Sequence, residues 1–393
     1  MAKKLNLIKD APGEYIYQNE KEYFVCSTGI EGEMFVDHSK ENRGGHFGHA
    51  MVEYADGKIL AFYPSCNADN NGHSGRGWME YKRSEDYGKT WSEPIVLRHS
   101  YDTFKNSDGA FSVMCEKAVM SDDGAIVLFC CNCDVKTLLP GHEIYPAHAA
   151  LWEPYLKPTY LKSYDGGESW EGPFELCDYT ARVYDAMVHN GKIYALVGGW
   201  DNRRFSLYIS EDGAKTFREG GVLPVPKWSF YGSLEILPDG AMIAYTYFDS
   251  NEPMGDLGID EHNLPYCISY DGGESFGELR TAGFVKRLRN PQLVKFNSAY
   301  FMFGRSGNRG DDRHNFVCYC SKDGINWDEG RYLRMQDFPK KWGVCFYSNT
   351  LVVGRYNDDV PNRLYMQASV AYGAPQRHLT NIMQWWFDAY TLQ

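Results

Sequence analysis

The chain has 393 residues, of which 15% are aromatic and 39 are glycine, and its formal net charge at pH 7 is −12. A chain of this length and aromatic content can bury a large core. Its negative charge disfavours a nucleic acid or an anionic membrane as a partner.

The start of the chain, MAKKLNLIKDAPGEYIY, lacks the apolar core of a signal peptide. No apolar run in the sequence approaches the roughly 18 residues of a membrane span. The 11 cysteines are scattered and odd in number, which indicates reduced thiols. We therefore expect a cytoplasmic protein.

Six polar turns, each followed by an apolar run, predict six β-hairpins along the chain. Each run follows a short apolar segment such as HAMVEY or GSLEIL, which is the pattern of two strands joined by a tight turn. In chain order the runs are DGKILAFYPS from 56, DGAIVLFCCN from 123, NGKIYALVGGW from 190, DGAMIAYTYF from 239, NSAYFMFGRS from 297 and SNTLVVGRYN from 348.

A second pattern, Ser-x-Asp-x-Gly-x-(Ser/Thr)-(Trp/Phe), follows each of the first five hairpins. In such a turn the Asp accepts hydrogen bonds from backbone amides, the Gly supplies a positive φ and the aromatic ring packs back onto the sheet. One hairpin and one such turn make a four-stranded antiparallel unit of roughly 50 to 65 residues. The matches are SEDYGKTW at 84–91, SYDGGESW at 163–170, SEDGAKTF at 210–217, SYDGGESF at 269–276 and a shorter SKDGINW at 321–327.

The two repeats predict an all-β fold, a six-bladed β-propeller of four-stranded antiparallel blades. The turns resemble the Asp boxes, or BNR repeats, of the sialidase (neuraminidase) superfamily, and this resemblance covers about residues 46–375. It implies a propeller fold more than an activity, because such turns lie far from any substrate. The blades are expected within a single domain, 1–393, at approximately 46–97, 110–176, 182–222, 229–282, 288–333 and 343–375.

The two termini are expected to complete the ring. The alternation in GEYIYQ, at 13–18, suits the strand that closes a propeller. The C-terminal RHLTNIMQWWFDAYTLQ fits no blade, and Thr380 could cap a short aromatic helix. That helix is expected to cover the side of the propeller or to form a contact between subunits.

Propeller topology predicts a pocket on the face opposite the hairpins and the Ser-x-Asp turns, built from residues that precede the first strand or follow the second strand of each blade. These segments are rich in Arg, Tyr, Trp, His and Asp, which suits a sugar, because aromatic faces stack on pyranose rings. Several arginines further suggest a sugar with a carboxylate, which a guanidinium holds in bidentate fashion. The predicted substrate-binding residues are Arg43, Arg182, Trp200, Asp201, Arg203, Arg289, Gln292, Arg305 and Arg355.

Candidate catalytic groups come from the same segments. His46 and His49, in GGHFGH, can exchange protons near neutral pH. Asp185, in RVYDAMV, is expected among aromatic residues at the channel entrance, where desolvation would raise its pKa toward that of a general acid. The remaining candidates are Tyr184, Tyr231 and Tyr356 as nucleophiles or substrate hydrogen bonders, and Glu116, Asp134 and Asp201 as alternative acids.

The resemblance to sialidases implies three arginines that hold the substrate carboxylate, a Tyr nucleophile activated by a Glu, and an Asp acid/base. Arg305 and Arg355 resemble two of those arginines. The segment RNPQLVKF resembles the one that usually carries the Glu, but it has Asn290 and Gln292 and no carboxylate. The early Arg-Ile-Pro motif of the family is also missing from this chain.

Three function classes follow. A sialidase-like exo-acting glycoside hydrolase on a terminal acidic sugar is favoured, ahead of a lyase on uronate-containing glycans that uses His or Tyr, and of a non-catalytic glycan-binding propeller. Each has an oligosaccharide or glycoconjugate as its partner and needs no cofactor. Cys130 and Cys133, in FCCNCD, have the spacing of metal ligands, but no second such pair exists, and a strand of small buried residues is the favoured interpretation.

Overall fold

The computed structural model describes residues 13–18, 21–27, 31–46, 48–67, 76–134, 156–199, 204–226, 229–248, 263–284, 288–306, 315–327, 331–337, 346–372 and 379–387. These residues form a six-bladed β-propeller of antiparallel sheets. The first strand of each blade contacts the first strand of the next, and that of blade six returns to blade one. The six first strands therefore surround a central channel.

The first three blades follow one another in chain order, each from the centre outward. Blade one has strands Met51–Ala55, Lys58–Asn67, Gly77–Ser84 and Ile95–Val96, with a short strand Arg43–Gly44 also paired to the second. Blade two has Phe111–Met120, Ile126–Asp134, Thr159–Ser163 and Glu171–Glu175. Blade three has Ala181–His189, Lys192–Gly199, Phe205–Ser210 and Arg218–Val222. A 3-10 helix, His38–Lys40, precedes blade one, and an α-helix, Arg98–Asn106, connects it to blade two.

The other three blades use strands from both ends of the chain. Blade four has Ser229–Ile236, Met242–Phe248, Asn263–Ser269 and Arg280–Gly283. Blade five has Leu288–Phe296, Ala299–Ser306, Asn315–Ser321 and Arg331–Asp337, followed by Lys21–Ser27 and Gly13–Gln18. Blade six has Ser348–Val353, Arg363–Ala371, Thr380–Phe387 and Glu33–Val36.

The core lies between neighbouring blades. The second strands are buried on both faces, because each blade packs against the next one, so they are near-continuous apolar runs such as ILAFYPSC. Between blades five and six, for example, Phe301, Phe316 and Trp385 are each at most 1% exposed and belong to one apolar cluster. The hydrophobic runs of the sequence are therefore explained by contacts between blades.

The C-terminal helix expected from the sequence is wrong. Thr380–Phe387 is the third strand of blade six, paired over eight residues with Arg363–Ala371. Both of its faces are buried, so the alternation that marks a half-exposed strand is absent, and the spacing of Ile382 and Trp385 only resembled a helix. The sixth blade accordingly extends past residue 375 to Phe387, and Trp385 packs in its core.

Ring closure also differs from the expectation. Glu33–Val36, and not residues 13–18, supplies the outermost strand of blade six by pairing with Thr380–Phe387. Gly13–Gln18 instead pairs with Lys21–Ser27, which extends the edge of blade five parallel to Arg331–Asp337. An alternating strand fits any open sheet edge, so its pattern did not distinguish between the two blades.

The five Ser-x-Asp turns join the third and fourth strands of blades one to five. In the turn at 269–276, Asp271 Oδ1 accepts hydrogen bonds from the Ser275 amide (2.9 Å) and from Ser269 Oγ (2.8 Å). The Ser275 hydroxyl donates to the other carboxylate oxygen, and these hydrogen bonds lower the pKa of Asp271 to about 2. The carboxylate therefore holds the turn closed.

Asp271→Ala is expected to lower the free energy of unfolding by about 1 to 2 kcal/mol, because it removes the acceptor of several hydrogen bonds at once. Denaturant unfolding measures this, and Tyr270→Ala is the control, since the Tyr270 side chain is 74% exposed in the same turn. Equal stability of the two variants would show that the carboxylate does not hold the turn.

Candidate functional site

A pocket opens at the end of the channel where the first strands begin. It contains about 390 Å³ of space not filled by atoms, which includes its opening to solvent, and all six blades contribute to its lining. One lining residue from each blade, in order, is His49, Glu116, Arg182, Tyr231, Asn290 and Tyr347.

Strained backbone is concentrated at this end of the channel. Tyr231, Asn290 and Phe346 lie at the start of the first strands of blades four, five and six, and their φ angles are +44°, +54° and +64°. The register of the first strand shifts at Tyr231 and again next to Asn290, as in a β-bulge. Left-handed residues other than glycine and bulges both occur preferentially at functional sites, where they redirect side chains. Tyr231 and Asn290 thus enter the pocket at a conformational cost, whereas Phe346 packs in the core directly before the pocket residue Tyr347.

Arg182 is held by a carboxylate inside the pocket. Its Nε and Nη2 atoms donate to the two oxygens of Glu116 at 2.7 and 3.1 Å, and both side chains are buried. Burial raises the pKa of Glu116, and the nearby Arg182 opposes that shift. The guanidinium lies 5.2 Å from the ring centroid of Tyr184 and 5.1 Å from that of Tyr231. Arg182 thus has a protein carboxylate as its partner and positions two tyrosines.

Tyr231 and Tyr347 form a hydrogen-bonded pair of phenols, with 2.8 Å between the two hydroxyl oxygens. Burial, followed by the proximity of Tyr347, raises the pKa of Tyr231 well above its usual value. Tyr231 therefore keeps its proton, and its hydroxyl donates this hydrogen bond to the hydroxyl of Tyr347. The ring of His46 lies 5.7 Å from the ring of Tyr347, between centroids, and fixes its other side.

Arg305 is a buried cation that interacts electrostatically with Tyr347 and Tyr231, although it is not itself among the residues that line the pocket. It is 6% exposed, and its Nε has no hydrogen-bond partner among the described residues. Arg289 lies directly across the strand pair from Arg305. Burial and the charge of Arg289 lower the pKa of Arg305, and the nearest groups that oppose this shift are phenols, Tyr347 first. In the part of the chain that the structure describes, no carboxylate forms an ion pair with Arg305.

Lys117 connects the floor of the pocket. Its Nζ donates to Gln292 Oε1 (2.8 Å) and to Asn349 Oδ1, and lies 3.0 Å from Asp185 Oδ1. Asn349 in turn donates to the backbone oxygen of His49 at 2.9 Å. This network joins the first strands of blades two, three, five and six to the segment before blade one.

Asp185 is therefore a residue of the pocket floor and not the general acid at the channel entrance that the sequence suggested. Its Oδ2 atom accepts from Ser233 Oγ (2.6 Å) and from the Leu234 amide (2.8 Å), and Lys117 is beside Oδ1. The side chain is buried and fully hydrogen-bonded to blades two and four. Such a carboxylate stabilises the channel and has no oxygen left for a substrate.

His49 has a defined tautomer. Its Nε2 lies 3.0 Å from the backbone oxygen of His46, which can only accept, so Nε2 carries the proton. Nδ1 has no partner among the described residues and presents a lone pair. Burial lowers the pKa of His49 from 6.5 to about 4, so the ring is neutral at physiological pH.

This lowered pKa predicts a loss of stability in mild acid. Below pH 6.5 the unfolded chain protonates His49, whereas the folded chain does so only near pH 4, so stability falls as the pH decreases between these values. The contribution of His49 to the free energy of unfolding should fall by about 2 to 3 kcal/mol over this window. Chemical unfolding of the wild type and of His49→Gln at several pH values measures it as a difference. His38, whose pKa is also lowered to about 4, remains in both proteins and cancels. A difference that is constant with pH would contradict the prediction.

Arg355 and Tyr356 lie at the other end of the channel, which corrects their assignment to the pocket. Ser348–Val353 is the first strand of blade six and not its second, so the residues that follow it form the hairpin on the opposite face. There the Arg355 amide donates to Glu53 Oε2 at 3.2 Å, and Tyr356 is 50% exposed.

The other predicted binding residues are distributed as follows. Arg43 donates from Nε to Ser65 Oγ (2.7 Å) and stacks 4.1 Å from the ring centroid of Trp78, so it is held within blade one and does not line the pocket. Gln292 and Tyr184 line the pocket. Trp200, Asp201 and Arg203 are outside the described residues.

The predicted site omitted Lys117, Tyr347 and Asn349, which line the pocket. Tyr347 ends the segment KWGVCFY of blade six, and Lys117 ends the corresponding segment FSVMCEK of blade two, so the positions of both were usable signals. Asn349 lies within a strand, where no sequence pattern marks a functional side chain.

Cys131 and Cys133 share one buried side of their strand, with 4.0 Å between the sulfurs. Within the described ranges, no three or more His, Cys, Asp and Glu side chains are grouped to hold a metal ion. None of the helices described here has the length and apolar character needed to cross a membrane.

The fold is a six-bladed β-propeller with a pocket at one end of its channel, and comparison with solved structures agrees with that fold. No protein family model matches the sequence, and no curated protein does either. A protein of unknown function from Dyadobacter fermentans is 16% identical with a TM-score of 0.67, over 92% of this chain and 100% of that one. The NanB sialidase from Streptococcus pneumoniae is 11% identical with a TM-score of 0.64, over 92% and 71%. A Hadza microbial sialidase is 13% identical with a TM-score of 0.64, over 91% and 68%. The structural neighbours thus include sialidases, and at these identities the likeness shows the fold.

Proposed function

We propose that the protein is a sialidase-like glycoside hydrolase that removes a terminal sugar bearing a carboxylate. The observation that carries the proposal is the buried guanidinium of Arg305, which has no ion-pair partner among the described residues and lies beside the hydrogen-bonded phenols of Tyr231 and Tyr347. Burying a cation is costly unless an anion accompanies it. A carboxylate of the ligand would supply that anion in bidentate geometry.

The phenol pair suits chemistry on an acidic sugar. A neutral tyrosine can approach an anomeric centre next to a carboxylate without the repulsion that an Asp or Glu nucleophile would meet. In this proposal Tyr347 forms the bond to the anomeric carbon as the glycosidic bond breaks, and the phenol proton of Tyr347 passes to the leaving oxygen. The hydrogen bond from Tyr231 and the charge of Arg305 stabilise the negative charge that develops on Tyr347 as its proton leaves. Water then releases the sugar from Tyr347. The sialidases among the structural neighbours support this assignment at the level of the fold.

One observation favours a lyase as the second candidate. Among the described residues that line the pocket, the only carboxyl group is that of Glu116, and Arg182 occupies it. A lyase on uronate glycans needs no carboxylate, because a neutral His or Tyr can remove the proton next to the sugar carboxylate. His49 is in the tautomer that such a base needs, because its Nε2 carries the proton and its Nδ1 lone pair can accept the proton of the substrate.

Incubation with sialosides and with uronate-containing oligosaccharides, each beside a neutral glycan, tests these alternatives. The hydrolase releases the terminal acidic sugar and gives no unsaturated product. The lyase gives a product that absorbs near the ultraviolet edge, and its appearance would replace the first proposal with the second. If calorimetry shows that an acidic glycan binds but no product forms, the protein is a non-catalytic glycan-binding propeller. Equal processing of neutral and acidic glycans would contradict the role of Arg305.

A further inference from the structure

Asn290 has a side chain whose hydrogen bonding is incomplete. It lines the pocket and is 3% exposed, and its Nδ2 has no hydrogen-bond partner among the described residues. A buried amide N–H group without an acceptor costs free energy that a partner in a bound ligand would recover. Asn290, like Arg305, therefore has a buried N–H donor without a hydrogen-bond partner among the described residues.

The backbone of Asn290 is strained as well. Its φ is +54°, and it lies in the register shift between Arg289 and Gln292. Asn297, at the other end of the same strand, has the same φ of +54°, but it lies in an exposed hairpin, where Asn commonly adopts this conformation. At Asn290 no hairpin requires a left-handed residue. The strain there directs the amide into the pocket.

The surroundings of Asn290 define what it can bind. Arg289 precedes it and lies across the strand pair from Arg305, so the local charge is positive. Asn290 shares the pocket with Tyr231 and Tyr347, the same two phenols that lie near Arg305. A donor in a positive environment favours an anionic oxygen acceptor over a neutral one.

We propose that Asn290 is a specificity-determining residue, whose Nδ2 donates a hydrogen bond to a carboxylate oxygen of the sugar beside the Arg305 guanidinium. This inference rests on the proposed function. Asn290 would add a neutral hydrogen-bond donor to the cation of Arg305. Binding would then depend on the orientation of the sugar carboxylate as well as on its charge. The site therefore selects among acidic sugars by the orientation of the acid group.

Calorimetric binding of N-acetylneuraminic acid and of glucuronic acid tests the inference in the wild type and in four variants. Asn290→Gly removes the amide and suits the backbone, and Asn297→Gly is its matched control at the same φ on the opposite face. Asn290→Gly should weaken binding of the better ligand by about 10- to 100-fold, the usual worth of a hydrogen bond to a charged group, while Asn297→Gly should leave it unchanged. The melting temperature of Asn290→Gly should not fall below that of Asn297→Gly.

Asn290→Asp keeps the size of the side chain and places a carboxylate where the ligand's carboxylate would bind. It should weaken binding more than Asn290→Gly does, because it repels the ligand and pairs with Arg305 itself. Binding by either Asn290 variant that equals the wild type would overturn the inference.

The Arg305→Ala variant distinguishes failure of the inference about Asn290 from failure of the proposed function. If Arg305→Ala loses binding and the Asn290 variants do not, only the inference falls. If Arg305→Ala binds like the wild type, or if the wild type binds neither acidic sugar, the proposed function falls and the inference with it.

Discussion

Tyr347→Phe is expected to lower kcat on the acidic substrate by about 10³-fold or more, because it removes the oxygen that would form the covalent bond. The ring remains, with its contacts to His46 and Tyr231, so the pocket keeps its shape. KM and the binding of the released sugar should therefore change little. Steady-state kinetics together with calorimetric binding would separate loss of chemistry from loss of binding.

Two other tyrosines provide matched controls for the same chemical change. Tyr231→Phe removes only the hydrogen bond to Tyr347 and should lower kcat by about 10- to 100-fold. Tyr184→Phe should have little effect, since the ring of Tyr184 is stacked on Phe205 with 5.4 Å between centroids, and that packing is kept. The expected order of damage is thus Tyr347, Tyr231, Tyr184. If Tyr231→Phe is the most damaging, the roles of the two phenols are exchanged. If all three variants are fully active, the tyrosine mechanism is wrong.

The blades could be predicted from the sequence because their signals are local. A hairpin turn and a Ser-x-Asp turn each lie within about ten residues, and each is recognisable without its neighbours in space. Blade six has no Ser-x-Asp turn, so nothing in its sequence marked which strand came first. Its outermost strand, Glu33–Val36, comes from the other end of the chain. Both errors, the C-terminal strand predicted as a helix and the wrong ring closure, arose because a strand from the other end of the chain completes this blade.

The same missing signal explains why Arg305 and Arg355 were grouped together. Each follows a glycine at the end of an apolar run, and the two segments are alike in sequence. Arg305 lies near the end of the second strand of its blade and interacts electrostatically with the pocket residues Tyr347 and Tyr231, whereas Arg355 follows a first strand and lies at the opposite end of the channel. The position of a strand within its blade determines at which face of the propeller the residues after it lie. An error of one strand therefore places a residue on the wrong face.

The pairing of charges was beyond the sequence as well. Arg182 was a candidate to bind the substrate carboxylate, but its partner Glu116 comes from the preceding blade, 66 residues earlier. Asp185 was a candidate acid, but Lys117 from another blade neutralises it. Such pairs depend on which side chains meet in the channel. The sequence therefore identified the segments that form the pocket, and the structure is needed to distinguish its binding groups from its supports.

Lys117→Met is expected to destabilise the protein by about 3 to 5 kcal/mol, because it leaves the carboxylate of Asp185 buried without its cation. Lys117 and Asp185 are 9% and 6% exposed, so water cannot replace the lost partner. The variant also leaves Gln292 Oε1 and Asn349 Oδ1 without the donor that they share. Denaturant unfolding measures the change.

A double-mutant cycle with Asp185→Asn isolates the charge pair. The amide side chain introduced by Asp185→Asn is neutral, and its oxygen can still accept a hydrogen bond from the Leu234 amide. The double variant should therefore be more stable than the sum of the single changes predicts, by about 2 kcal/mol.

The surface ion pair Lys192–Glu211 is a control that distinguishes the effect of burial from the effect of the distance between the two charges. Its nitrogen and oxygen are 2.6 Å apart, closer than the 3.0 Å between Lys117 and Asp185, but its side chains are 39% and 49% exposed. Lys192→Met should therefore destabilise the protein far less than Lys117→Met, because solvent screens both charges and hydrates the one left behind. If Lys117→Met costs no more than Lys192→Met, the floor network does not hold the blades together, and Asp185 is available again as a candidate acid.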